Sequence, residues 1–278
     1  MRTVRTIAEI RAALAEDGRV GLVPTMGFLH EGHLSLIRQA RAECDTVVVS
    51  LFVNPKQFAP GEDLDSYPRD EARDASLAEQ CSADLLFAPA QEEIYPEGFA
   101  TAVEVAGLTD VLCGAARPGH FAGVATVVTK LFNIVAPDVA YFGQKDAQQA
   151  LVIRKLVRDL DMPVRVEVCP TVRDPDGLAL SSRNRYLSAE ERGYALGLNR
   201  ALKAAEAAVA AGRTSAEEVL AEARKQLEEA GIEPEYIELR SAQDLTPVER
   251  VNGSTLLAVA AQVGRARLID NTILTGDA

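Results

Sequence analysis

The sequence predicts an α/β protein: a Rossmann-like, doubly wound parallel sheet followed by a smaller C-terminal α+β domain. Two observations carry this reading. Short apolar, β-branched runs alternate with amphipathic segments through the first part of the chain, the order that parallel strands joined by crossover helices require. From Glu190 the composition changes to alanine-rich, highly charged helical segments and then to three strand-like runs. The boundary falls between 174 and 188, giving domains 1–176 and 177–278.

Composition limits what such a chain can do. Its 278 residues suffice for one large domain or two moderate ones, and 47% apolar with 25% charged residues suits a soluble globular protein. The 41 acidic against 29 basic residues leave a formal charge of −12, a poor surface for wrapping nucleic acid. Any anionic ligand must therefore meet locally gathered positive groups. Cys44, Cys81, Cys113 and Cys169 stand singly, without metal or redox spacing, and read as buried free thiols in a reducing compartment. The N-terminus lacks a signal-peptide core and no apolar run reaches the length of a membrane span, so a cytoplasmic protein with no membrane partner is expected.

Taken in order, MRTVRTIAEIRAAL reads as a short strand entering a helix. The chain is organised around the next stretch, residues 23–36 (VPTMGFLHEGHLSL), which holds two of the three histidines. An apolar run, Gly21-Leu22-Val23, passes through Pro24-Thr25-Met26-Gly27 into an amphipathic segment from His33 onward: strand, glycine turn, helix. The first N–H groups of a helix have no intrahelical partner and carry the positive end of its dipole, so this junction is a ready anion site. With the helix beginning near His30, His30 and His33 share one face at its N-terminus, and Gly32 lets a base or phosphate approach the backbone. A zinc site would need two further ligands that nothing nearby offers. The Gly27-x4-Gly32 spacing matches a P-loop, but His33-Leu34 stands where Lys-Ser/Thr belongs.

Residues 45–53 (DTVVVSLFV) are apolar enough for a strand buried on both faces, and Asn54-Pro55-Lys56-Gln57-Phe58 follows. Ligands of open α/β sheets gather beyond the carboxyl ends of strands, which puts Asn54 and Gln57 where a polar substrate is gripped; a plain Asn-Pro turn reads equally well. A helix is expected over 70–80, strands over 83–87 and 101–105 (TAVEV, edge or half-buried), and a helix over 124–134. Arg117 and His120 share the loop before that helix; Pro118-Gly119 reads as a plain helix entry, while the arginine and histidine together suit a carboxylate or phosphate, the reading favoured here. A strand over 137–142 runs through Gly143-Gln144-Lys145-Asp146 into a helix over 147–159, repeating the plan of the first site. Lys145 is placed to meet phosphates, and Gln149 lies about one helical turn on. After a strand over 164–169 and a turn over 170–177, Leu180-Ser181-Ser182-Arg183-Asn184-Arg185 gathers hydroxyl and guanidinium donors suited to a triphosphate. Ser188 caps a helix that continues to 211, and a second helix spans 215–230. Strands over 234–239, 255–260 and 266–273 complete a small domain expected to cover the nucleotide site.

His30-x-Gly32-His33 after an early strand resembles the HIGH motif of the nucleotidylyltransferase superfamily. The blocks PTMG…HEGHLSL, FVNPKQF, YPRD, RPGHFAGVATVVTKLF, YFGQKDAQQ, TVRD and LALSSRN together resemble, in order and spacing and across nearly the whole chain, the pantothenate synthetase family. That resemblance implies ATP-dependent condensation of D-pantoate with β-alanine through a pantoyl adenylate, releasing AMP and diphosphate. It implies ATP as a substrate, Mg2+ on its phosphates, and a homodimer joined through the N-terminal domain. For residues it implies ATP binding by Met26, Gly27, Phe28, Leu29, His30, Glu31, Gly32, His33, Gly143, Gln144, Lys145, Asp146, Val172, Leu180, Ser181, Ser182 and Arg183. Gln57 and Gln149 are implied to hold pantoate, with Gln57 also near β-alanine, and His33 to donate the catalytic proton, supported by His30, Lys145 and Arg183. Asn54, Tyr67, Arg117 and His120 fall in matching blocks as well, and no metal ligand is identified. The rival expectation is another small-molecule adenylyltransferase of the superfamily, one that stops after nucleotide transfer.

Overall fold

A computed structural model describes residues 1–15 and 18–276. The chain opens with β1 (Arg2–Val4) and α1 (Ile7–Ala13), whose start is set by a capping box: Thr6 Oγ1 accepts from the Glu9 amide at 3.2 Å, and the Glu9 carboxylate accepts from the Thr6 amide at 3.0 Å. There follow β2 (Val20–Thr25), α2 (Glu31–Glu43), β3 (Thr46–Leu51), α3 (Glu71–Gln80), β4 (Leu85–Phe87) and the single turns α4 (Gln91–Ile94) and α5 (Cys113–Ala116). Then come α6 (His120–Val135), β5 (Val139–Gly143), α7 (Ala147–Asp159) and β6 (Arg165–Cys169). The six strands form one parallel sheet in the order β1-β4-β3-β2-β5-β6. Alternate strand residues feed the two faces: Leu22, Val48 and Phe87 join the cluster of Val124, Leu131 and Phe142, while Val23, Val49 and Leu86 join Leu34, Ile37 and Tyr141.

Strand succession runs outward from β2 on both sides, through β3 and β4 in one direction and β5 and β6 in the other. The topological switch point, where ligands of such sheets bind, therefore lies between β2 and β5. β2 pairs with β3 along its whole length but with β5 only at Gly21 and Leu22. The Val20 carbonyl accepts from the Asp138 amide beside β5, and the Thr25 carbonyl accepts from Phe52 beyond β3. The alternation along β2 thus turns the Pro24 nitrogen toward β5, and that nitrogen has no hydrogen to donate. The ladder between the two strands ends there.

The chain divides into two compact units. Residues 1–110, 114–144 and 148–170 form the first; 111–113, 145–147 and the chain from Thr171 onward form the second. The second unit is a three-stranded antiparallel sheet, β7 (Pro234–Ser241), β8 (Gly253–Val263) and β9 (Ala266–Gly276) in that order, with α8 (Ala189–Ala210) and α9 (Ala216–Glu229). Alanines on both helices pack against Leu198, Leu202, Leu227, Ile237 and Val259 in its core. A second capping box, Ser188 with Glu191, starts α8. All four cysteines are buried thiols outside any disulfide.

The strand expected over 101–105 is absent. Its Val103 amide donates to Thr126 Oγ1 of α6 at 2.9 Å, so a side chain takes the hydrogen bond that a neighbouring strand would have supplied. Helix α6 begins at His120, four residues before the expected start, because Gly119 adopts φ +83° and turns the chain into the helix there. Gly123 on α6 lies against the 3-10 turn Pro55–Gln57: a Cβ at this position would stand 2.2 Å from the Lys56 carbonyl oxygen and 2.7 Å from the Gln57 nitrogen. Gly123→Ala is expected to lower stability by about 1–3 kcal/mol through overpacking. Thermal unfolding followed by circular dichroism measures this, and an unchanged melting temperature would show that the turn yields freely.

Candidate active site

The turn leaving β2 is shaped by its own hydrogen bonds. Thr25 Oγ1 donates to the Ser50 carbonyl at 2.8 Å and accepts from the Gly27 amide at 3.2 Å. Gly27 lies at φ +88°, and a Cβ on it would stand 2.9 Å from Leu51 Cδ1 and 3.1 Å from Asp74 Oδ2, so conformation and space both require glycine. His30 is the N-cap of α2, its carbonyl accepting from the His33 and Leu34 amides at 2.8 and 3.1 Å. Its amide donates to His33 Nδ1 at 3.3 Å. That contact requires a lone pair on Nδ1, so neutral His33 carries its proton on Nε2 and presents a donor there. The two half-buried imidazoles lie with ring centroids 4.1 Å apart. Glu31 is exposed on the first turn of α2 and ion-pairs with Arg38, which holds its carboxyl below the usual range.

Beyond β3, the 3-10 turn brings Gln57 to Met26: Gln57 Nε2 donates to Met26 Sδ at 2.9 Å, and its Oε1 accepts from Asn54 Nδ2 at 3.1 Å. Asn54 is fully enclosed, donating also to the Gly123 carbonyl at 3.0 Å and accepting from the Tyr95 hydroxyl at 2.8 Å. Burial pushes the Tyr95 phenol well above its ordinary range, which keeps it a donor. Arg117 and His120, expected to suit an anion, converge on the Gln57 backbone: Arg117 Nη2 and His120 Nδ1 meet its carbonyl oxygen at 3.2 and 2.8 Å. Arg117 is also bidentate to Glu62 at 2.6 and 2.7 Å. Burial alone would raise the Glu62 carboxyl, but Arg117 more than offsets this and holds it below the usual range. Tyr67 is buried edge-on against Phe58. Gly143 ends β5, and Gln144 and Gln149, on the 3-10 turn and the first turn of α7, are half-buried.

The second unit carries the other candidates, and β9 fastens two of the segments on which they lie. The Lys145 carbonyl accepts from Asn271 Nδ2 at 2.8 Å, and the Lys145 ammonium stands 3.6 Å from Asp146. The neighbouring Asp270 accepts from Nη1 and Nη2 of Arg173 at 2.6 and 2.9 Å. The Leu180 amide donates to the Val172 carbonyl at 3.0 Å, closing the loop between them. Ser181 caps the 3-10 turn Ser182–Tyr186 by accepting from the Arg183 amide at 3.2 Å; Ser182 is buried and Arg183 half-buried. Sequence reasoning did not single out Asp74, Glu62, Tyr95, Asp270 or Asn271, because each acts on the backbone or side chain of a residue distant in sequence. Among the described residues no three His, Cys, Asp or Glu side chains gather as a metal cage.

Comparison with known proteins shows the family. The family model described as pantoate-beta-alanine ligase matches residues 2–273. The pantothenate synthetase of Moorella thermoacetica is 54% identical, with 99% of each chain covered, and that of Herpetosiphon aurantiacus 53%, with 99% of this chain and 100% of its own. The crystal structure of pantothenate synthetase from Thermus thermophilus superposes with a TM-score of 0.96 at 51% identity, covering 99% of this chain and 100% of that one. The pantoate-beta-alanine ligase of Francisella tularensis, in complex with beta-gamma ATP and beta-alanine, gives a TM-score of 0.81 at 34% identity over 98% and 97% of the two chains. A match of this length, identity and fold means that the chain belongs to the pantoate-beta-alanine ligase family.

Proposed function

We propose that the chain condenses D-pantoate with β-alanine through a pantoyl adenylate, with the residues named above in specific roles. As a member of its family it is an ATP-dependent ligase of pantothenate biosynthesis, releasing AMP and diphosphate. One observation carries the reading: in a chain that matches this family from end to end, the His30–His33 turn stands at a helix start beside the switch point of the sheet.

The chemistry explains why donors are needed there. A carboxylate does not acylate an amine directly, because oxide is a poor leaving group. Attack by a pantoate oxygen on the α-phosphorus expels diphosphate and installs AMP as the leaving group; the β-alanine amine then attacks the acyl carbon and AMP departs. Negative charge builds on the α-phosphate and on diphosphate during the first step, so preorganised N–H groups and cations lower its barrier. In the first unit, Met26 to His33 with Gly143 and Gln144 are assigned to ATP, with the Nε2 proton of His33 as the donor. In the second, Lys145, Asp146, Val172, Leu180, Ser181, Ser182 and Arg183 are assigned to the same nucleotide. Gln57 and Gln149 are assigned to pantoate, Gln57 also to β-alanine. Magnesium is proposed to arrive on the triphosphate, since it keeps several waters and takes few protein ligands. A cytoplasmic homodimer completes the proposal.

A direct assay with the three substrates should yield pantothenate, AMP and diphosphate in equal amounts. An enzyme that stopped at nucleotide transfer would release diphosphate without amide. His33→Ala should slow pantoyl adenylate formation by about 10²–10⁴-fold with the circular dichroism spectrum unchanged; normal turnover in this variant would remove His33 from the mechanism. Gln57→Ala should raise the KM for pantoate far more than that for ATP, and equal changes in the two would contradict its assignment.

A further inference from the structure

We propose that Asp74 is a positioning residue for the nucleotide: its carboxylate fixes the backbone of the turn that carries His30 and His33. The proposal rests on the assignment of that turn to ATP. Asp74 lies on α3, 1% exposed, outside every sequence block that pointed to the nucleotide. Its two oxygens are divided between successive amides of the turn, Oδ2 accepting from Phe28 at 2.6 Å and Oδ1 from Leu29 at 2.7 Å. Phe28 is at φ +51°, a left-handed conformation that a non-glycine residue keeps only when its surroundings hold it there.

The neighbouring residue on α3 secures the rest of the same turn. Arg73 Nη2 donates to the Leu29 carbonyl at 2.9 Å, and its guanidinium lies over the Phe28 ring, 4.9 Å from the centroid. Arg73 Nη1 also reaches Asp74 Oδ1 at 3.3 Å. A carboxylate is a costly group to enclose, and packing alone would favour an apolar side chain in its place. Burial does push the Asp74 carboxyl up, against the opposing pull of the Leu29 and Phe28 amides and of Arg73. The group is explained by what it accepts. Two adjacent amides directed inward need an acceptor inside the protein, and with it in place the chain must enter α2 at a defined angle, which sets where the two imidazoles stand.

The test compares Asp74→Asn with the parent enzyme. The amide keeps the shape of the carboxylate but turns an NH2 group toward one of the two backbone donors. The expected result is a KM for ATP raised about tenfold or more and correspondingly slower pantoyl adenylate formation, with the KM values for pantoate and β-alanine little changed. A purely structural role predicts the opposite pattern: a lower melting temperature and less active enzyme, with every KM unchanged. That pattern, or equal rises in all three KM values, overturns the proposal. Should Asp74→Asn fail to fold, Arg73→Met decides. Its side chain is 42% exposed, and a smaller rise in the ATP KM alone is expected, whereas parental kinetics would overturn the proposal. His33→Ala run in parallel separates two failures: unimpaired adenylation there removes the turn from the ATP site, while impaired adenylation with a parental ATP KM in Asp74→Asn removes Asp74 alone.

Discussion

Pro24 cannot donate a hydrogen bond to β5, and much of the first unit follows from that missing donor. A proline within a central strand is ordinarily disfavoured because it breaks the ladder. Here the nitrogen faces the one neighbour with which pairing stops, after Gly21 and Leu22, while pairing to β3 continues through Thr25. The strand therefore stays anchored on one side as the sheet opens on the other. The chain leaves β2 directly into the Gly27 turn and the start of α2, so the same residues that end the ladder introduce the two histidines.

A chain of net charge −12 that handles ATP and a carboxylate gains little from long-range attraction. Its means are local and consist mainly of oriented donors rather than surplus cations. Arg117 illustrates the economy of charge: its guanidinium is neutralised by Glu62 and, with His120, grips the Gln57 carbonyl, so it acts through the loop it holds. His33 is treated likewise. The His30 amide occupies Nδ1, which places the proton of the neutral ring on Nε2.

The second unit uses two adjacent strand residues to hold two segments far apart in sequence. Asp270 fastens Arg173 in the loop that leads to the serine pair, and Asn271 fastens the backbone at Lys145. Asp270 is 4% exposed, and a buried carboxylate of this kind is compensated only by good geometry, here a bidentate guanidinium. Substituting Arg173 alone leaves the Asp270 charge enclosed without its ion-pair partner.

Much of this was legible in the sequence. Apolar periodicity and caps are local properties, so α7, the box at Ser188 and the strand–turn–helix around His30 could be read residue by residue, and the ordered blocks identified the family. The reading failed where alternation had no partner to pair with: residues 101–105 have a strand pattern, yet Thr126 takes the Val103 amide. Nor did residue type reveal that Arg117 and His120 meet the Gln57 carbonyl. Asp74 was invisible for the same reason, its significance lying in two amides more than forty residues earlier. Local propensity and motif thus determined the elements and the chemistry available to this protein. Tertiary structure alone decided which charged groups are spent holding backbone, because that depends on contacts between residues distant in the chain.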